Sequence, residues 1–164
     1  MPQAANQAAA VDAPPSLTVT RLYDAPREAV FRAWTDPVQF SRWMGPGSIR
    51  AEVKQMETKP GGAYRIVMHG TPKGTSVVSG SYREIVPPER LVFTWAWEED
   101  EATHRAGHES IVTVTLRAVG TRTELTLRHE RLESTTSRDS HGQGWNGCLD
   151  KLGPWLADNA RRPS

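Results

Sequence analysis

The chain has one cysteine, Cys148, in 164 residues. No intramolecular disulfide can form, and a secreted domain of this size more often carries paired cysteines, so a reducing, cytoplasmic compartment is expected. Charge of one sign is lacking too: 20 Lys and Arg face 19 Asp and Glu, for a net charge of +1. No overall field therefore draws in nucleic acid or an anionic membrane. Arg and Glu interrupt every apolar stretch, so none approaches the ~18 consecutive apolar residues of a membrane helix. Met1 to Ser16 contains no Lys or Arg and no continuous apolar run long enough to be a signal-peptide core, which argues against an export signal. No internal repeat is visible, and the length suits a single core.

Residues 1–16 are rich in Ala, Gln and Pro without periodicity, and read as a disordered tail ahead of one domain spanning 17–160. Leu17 to Tyr23 alternate with period two and are rich in β-branched residues, which predicts a strand. Asp24-Ala25-Pro26 breaks it and opens a helix, with Asp24 or Ala25 as cap and Pro26 in the first turn. Val30, Ala33 and Trp34 recur at helical spacing until Asp36-Pro37. A second short helix is expected over Val38 to Met44, stopped by Gly45-Pro46-Gly47.

From Ile49 to Arg131 short strands are predicted near 49–57, 62–69, 75–86, 90–98, 109–118 and 123–131. Turn signals separate them, including an acidic loop from Glu98 to Gly107. That pattern is antiparallel. Trp145, Leu149, Leu152 and Leu156 then follow the stripe of an amphipathic helix from near Ser140 to Asn159, with a kink expected at Gly153-Pro154. The one-sided strands need a cover for their apolar face, and this helix is the only long one available. The expected fold is thus α+β: a curved antiparallel sheet of six to seven strands around a long C-terminal helix, with two short helices after the first strand.

The order of elements, with Asp24-Ala25-Pro26-Arg27-Glu28-Ala29-Val30-Phe31, Trp34, Thr35-Asp36-Pro37, Arg42-Trp43, Pro60-Gly61-Gly62-Ala63-Tyr64-Arg65, Gly80-Ser81-Tyr82-Arg83-Glu84-Ile85, Pro87-Pro88-Glu89-Arg90-Leu91, His141 and Gly144-Trp145, resembles the START and Bet v 1-like (SRPBCC) superfamily. Within it, the chain looks most like the group related to the C-terminal domain of the activator of Hsp90 ATPase. The resemblance covers about residues 17–157. It implies a helix-grip fold with an internal cavity, and, through the group's name, a chaperone contact as one possible partnership. Those activators look like two-domain proteins, whereas one domain is visible here. A fold alone supports a cavity and not a reaction.

Six tryptophans form the chain's most unusual feature. Trp34 reads as core, whereas Trp95 and Trp97 share a strand face with Phe93 and suit a cavity wall, since ligand sites are concave, mostly apolar and carry few polar groups. His129 alternates with Leu125 and Leu127, and Tyr82 shares a face with Val78 and Gly80; each would place one polar group inside. The candidate ligand-binding residues are Trp43, Tyr64, Met68, Tyr82, Trp95, Trp97, His129, Trp145 and Leu149. The expected ligand is a small apolar or aromatic molecule. The helical glycines, Gly144 and Gly147 among them, serve either close approach to the sheet or an opening over the cavity. Gly80 marks a strand bulge or room for the neighbouring helix.

No nucleophile with a base and an orienting acid stands at recognisable spacing, and Ser140-His141 adjacency is not a triad, so no catalytic residue is assigned. Catalysis of cyclase or hydrolase type in the same cavity would need a polar pair such as Tyr82 and His129. No cofactor and no metal are expected. Gly142-Gln143-Gly144-Trp145-Asn146-Gly147 matches a dinucleotide fingerprint but lacks the strand before it and the second strand after it. His104 and His108 sit in the acidic loop without helical presentation. His69 and His141 stand alone in sequence. Cys148, beside the buried stripe, reads as an inert thiol.

Overall fold

Residues 13–100, 102–103 and 105–159 are described by the structure, a computed structural model. The expected tail lies outside the described residues up to residue 12. Pro15, counted with that tail, is joined to the domain, its carbonyl accepting from Leu132 N at 3.0 Å.

Strand β1, Leu17–Tyr23, is followed by helices α1, Arg27–Thr35, and α2, Pro37–Trp43. The cap of α1 differs from expectation. Pro26 itself takes the N-cap position, its carbonyl receiving Ala29 N and Val30 N, and no side chain caps the helix. Asp36 ends α1 and starts α2, accepting from Val38 N at 2.9 Å and Gln39 N at 3.0 Å, with Pro37 in the first turn, where its missing N–H costs nothing.

The strands that follow are β2, Arg50–Met56; β3, Ala63–Thr71; β4, Gly74–Val86; β5, Arg90–Asp100; β6, Arg105–Ala106; β7, Ser110–Val119; and β8, Arg122–Glu130. They form one antiparallel sheet of order β1-β8-β7-β5-β4-β3-β2. The two-residue β6 pairs with β5 inside the segment read as an acidic loop, which brings the strand count to eight. Glu98 leaves that loop as well. It lies in β5 with a fully buried side chain, and both of its carboxylate oxygens stand 3.1 Å from Arg65 Nε.

Helix α3 runs over Thr135–Asn159, starting five residues before the apolar stripe suggested. Ser134 supplies the start, its hydroxyl accepting from Ser137 N at 3.0 Å. Trp145, Leu149, Leu152 and Leu156 are buried against the sheet together with Cys148. The helix continues through Pro154 to Asn159 without interruption. The hydroxyl of Tyr23 donates to the Leu149 carbonyl at 2.8 Å, and Arg21 donates to Asn146 Oδ1 at 2.7 Å, so β1 holds the middle of α3. Trp34, read as core, is 2% exposed.

Gly80 makes room for a strand rather than for the helix. A Cβ there would lie 2.2 Å from the Thr94 carbonyl oxygen of β5. The same carbonyl accepts the Tyr64 hydroxyl, while Thr94 Oγ1 receives Ser81 N at 2.9 Å.

Candidate functional site

A cavity of about 280 Å³ lies between the N-terminal half of α3 and the sheet. Its lining comes from four places: Met44, Pro46 and Ile49 of the loop between α2 and β2; Met68, Thr71, Pro72 and Ser76 around the β3–β4 turn; Trp95 and Trp97 of β5; and Ser140, His141, Gly144, Trp145 and Cys148 of α3. Pro72 and Ser140 are exposed, so the cavity reaches solvent there, whereas Met68, Trp95, Trp145 and Cys148 are buried. The deep wall is therefore apolar and the rim carries hydroxyls. No Lys, Arg, Asp or Glu lines it among the described residues.

Four of the nine residues singled out from sequence, Met68, Trp95, Trp97 and Trp145, lie on this wall. Tyr64 and Tyr82 instead border a separate void of about 10 Å³ behind Trp95, together with Phe93 and Trp34. Trp43, His129 and Leu149 border neither. Trp43 is fully buried, donating from Nε1 to the Ala33 carbonyl at 2.9 Å, and Leu149 belongs to the core stripe.

His129 stands behind the wall, and all of its polar capacity is used. Trp145 Nε1 donates to His129 Nδ1 at 3.0 Å. Nδ1 must then be unprotonated, so Nε2 carries the hydrogen and gives it to Ser110 Oγ at 2.7 Å, and Ser110 donates in turn to the Trp95 carbonyl at 3.0 Å. Burial, with a smaller contribution from the neighbouring His141, pushes the His129 pKa down to about 3. It is neutral at physiological pH.

His141 is the polar residue of the wall that sequence alone left isolated. Its Nδ1 lies 2.7 Å from the Ser137 carbonyl, one turn back on α3, and so donates, while Nε2 accepts from Trp97 Nε1 at 3.0 Å. Burial lowers its pKa too. The His129 and His141 rings stand 4.9 Å apart, and Trp95 packs edge-on to both at 5.9 and 6.4 Å. A nearly closed aromatic layer results, in which one donor is left over: Trp95 Nε1 is buried without a hydrogen-bond partner.

Two glycines of α3 that looked alike in sequence differ in use. A Cβ on Gly147 would lie 2.5 Å from Pro46 Cβ, so this glycine permits close packing of the loop on the helix. At Gly144 nothing lies within 4 Å, and its missing side chain leaves cavity. The loop is held from α3 by two further contacts. Gly45 N donates to Cys148 Sγ at 3.3 Å, and Lys151 Nζ reaches the carbonyls of Gly45, Gly47 and Ile49 at 2.6, 3.2 and 3.4 Å.

Among the described residues no group of His, Cys, Asp and Glu could hold a metal ion. His108 Nε2 donates to the Arg131 carbonyl at 2.7 Å, and His104, the other histidine of the acidic loop, lies outside the described residues. No helix among the described residues is long and apolar enough to cross a membrane.

Residues 24–157 match the family described as Activator of Hsp90 ATPase homolog 1-like protein. No curated protein matches the sequence. Among solved structures, the AHSA1 protein of Silicibacter pomeroyi superposes with a TM-score of 0.77 at 28% identity, covering 87% of this chain and 98% of that one. A protein of Chromobacterium violaceum gives 0.76 at 26% identity over 85% and 94%. CalU16 of Micromonospora echinospora gives 0.64 at 27% identity over 87% and 76%.

Proposed function

Because the chain belongs to the Activator of Hsp90 ATPase homolog 1-like family, whose fold is typically a ligand-binding scaffold, we propose that it binds a small apolar or aromatic molecule in the cavity between α3 and the sheet. The observation that carries this reading is the cavity of about 280 Å³ with an apolar, tryptophan-rich deep wall, Trp95 and Trp145 being buried at its base. Ligand sites usually combine such a surface with few polar groups, and rigid aromatic rings give contact area at little entropic cost.

The hydrogen bonds of the two histidines favour binding over turnover. Each ring has both nitrogens engaged by protein groups, leaving neither available to exchange a proton with a bound molecule. The unpaired, buried Cys148 suits a reducing cytoplasm.

The test follows tryptophan emission and melting temperature while a panel of aromatic and lipid molecules is titrated, in the parent protein and in Trp97→Ala. A ligand at 100 Kd stabilises the native state by about 2.7 kcal/mol, a shift easily seen in a melt. Saturable quenching that Trp97→Ala weakens supports the reading. Failure of every compound to move either signal would reject it and favour a protein-interaction role.

A further inference from the structure

Two side chains of α3 hold the loop between α2 and β2. Among the described residues, every hydrogen bond between the backbone of residues 45–49 and a side chain elsewhere ends on Cys148 or Lys151, one turn apart on that helix. The thiol is a weak acceptor, so the Gly45 N–H gains little from it. The ammonium differs in kind. Nζ donates to the carbonyls of Gly45, Gly47 and Ile49 at 2.6, 3.2 and 3.4 Å, and no carboxylate pairs with it among the described residues. Hydrogen bonds from a charged donor are roughly twice as strong as neutral ones. Three that share one donor atom are also lost together when the loop moves.

On its other side the loop faces space. Met44, Pro46 and Ile49 border the cavity, so each lacks packing atoms on that side and gains correspondingly little van der Waals contact there. Both ends of the loop are element termini, Trp43 closing α2 and Arg50 opening β2, and between them Gly45 and Gly47 hold φ of +102° and +58°. Hinged segments absorb their rotation at such positions. A polar latch on one side, an empty far side and a hinge at each end are the parts of a flap.

We propose that residues 44–49 form a flap over the cavity and that Lys151 is its latch, so that release of the three carbonyls opens the wall at Pro46 and Ile49 and uncovers Cys148. As the ligand's entrance, the flap rests on the reading of the cavity as a ligand site; as a moving part it does not.

Cys148 Sγ, beneath the Gly45 N–H, reports the opening. Its labelling by dithiobis(nitrobenzoate), a charged two-ring reagent, is followed at pH 8 across urea concentrations below the unfolding transition, with global stability measured alongside. Labelling through local opening is nearly independent of urea, whereas labelling through global unfolding rises steeply with it, because the slope follows the surface exposed. The parent protein is expected to show the flat dependence. Lys151→Met should raise the rate without urea at least about tenfold, beyond what its change in global stability accounts for, as loss of three charge-assisted bonds allows. Burial raises the Cys148 pKa and the Lys151 ammonium offsets part of that rise, so loss of the charge alone would slow labelling instead. Parent labelling that tracks global unfolding at every urea concentration overturns the flap, whether or not Lys151→Met folds. An unchanged or slower rate in folded Lys151→Met overturns the latch. Stopped-flow tryptophan quenching by 2-naphthol tests the entrance: association and release should both quicken in Lys151→Met, and equal rates in the two proteins overturn that role. Binding of neither 2-naphthol nor any of the wider panel removes the ligand reading, and with it the entrance, while labelling still decides the flap.

Discussion

Nε1 of Trp145 donates to Nδ1 of His129 at 3.0 Å, so a helix side chain and a strand side chain complete one another inside the core. This bond requires the neutral imidazole, and it makes stability depend on pH. In the unfolded chain His129 takes up a proton near pH 6.5, but in the native state it resists until about pH 3. Above pH 6.5 both states are neutral and the histidine imposes no penalty. As pH falls from 6.5 toward 3, the unfolded state gains a proton that the native state refuses. Stability should then drop by up to about 1.4 kcal/mol per pH unit from this group. Urea unfolding at pH 7.5, 6, 5 and 4 measures it. His129→Gln should cost about 1–3 kcal/mol at pH 7.5, because Trp145 and Ser110 lose their partner. That deficit should shrink or reverse by pH 4; a deficit constant with pH would contradict the buried neutral histidine.

The two glycines of α3 predict opposite signs for one substitution. Gly144→Ala adds a methyl group where nothing lies within 4 Å and removes a helix-interior glycine, so the protein should gain about 0.5–1 kcal/mol while the cavity narrows. Gly147→Ala drives a methyl group to 2.5 Å from Pro46, and should lose stability through displacement of the loop. Thermal melts of both variants decide the matter. Equal shifts would show that α3 treats the two positions alike.

Burial separates two ion pairs of similar length. Arg65 and Glu98 meet at 3.1 Å with the Glu98 side chain fully buried, whereas Lys54 and Glu52 meet at 2.8 Å with both side chains about half exposed. Arg65→Met strands a buried carboxylate and should cost about 3 kcal/mol. Lys54→Met should cost less than about 1 kcal/mol, since exposed pairs are solvated in either state. Chemical denaturation at neutral pH compares them directly.

Cys148 lines the cavity yet should react slowly. Burial pushes its thiol pKa up to about 11, only partly countered by the Gly45 N–H and by Lys151, so little thiolate exists at pH 8. A colorimetric disulfide reagent should label native protein far more slowly than unfolded protein. Occupancy of the cavity by an aromatic ligand should slow labelling further.

The sheet was legible because strands such as β3 and β8 alternate and the turns carry Gly and Pro: Ile66 and Met68 in β3, or Leu125, Leu127 and His129 in β8, announce a buried face by period alone. The start of α3 was not, because Thr135 to Gly144 carry no apolar stripe and only the Ser134 cap marks the helix. His141 fell within the expected helix, one turn before Trp145, but a lone polar residue carries no apolar signal from which its place on the wall could be read. Met44, Pro46 and Ile49 depend on a loop whose path is set by positive φ at Gly45 and Gly47, and hydrophobic periodicity has no purchase on such a segment. Tyr82 and Tyr64 do face inward as their alternation requires, but they face a neighbouring part of the core, a distinction made by sheet curvature rather than by period.

The sheet order leaves β1 and β2 as its two outer strands, each with a single strand partner among the described residues. Backbone groups along such margins can recruit another chain, and β2 carries two deterrents. Its register shifts between Val53 and Gln55, which twists the ladder out of line, and Arg50, Glu52 and Lys54 place charge of alternating sign along it. A second molecule docking there edge to edge would have to straighten the bulge and strip water from those charges. At β2, the open architecture that gives α3 a face to grip is in this way guarded against templating aggregation.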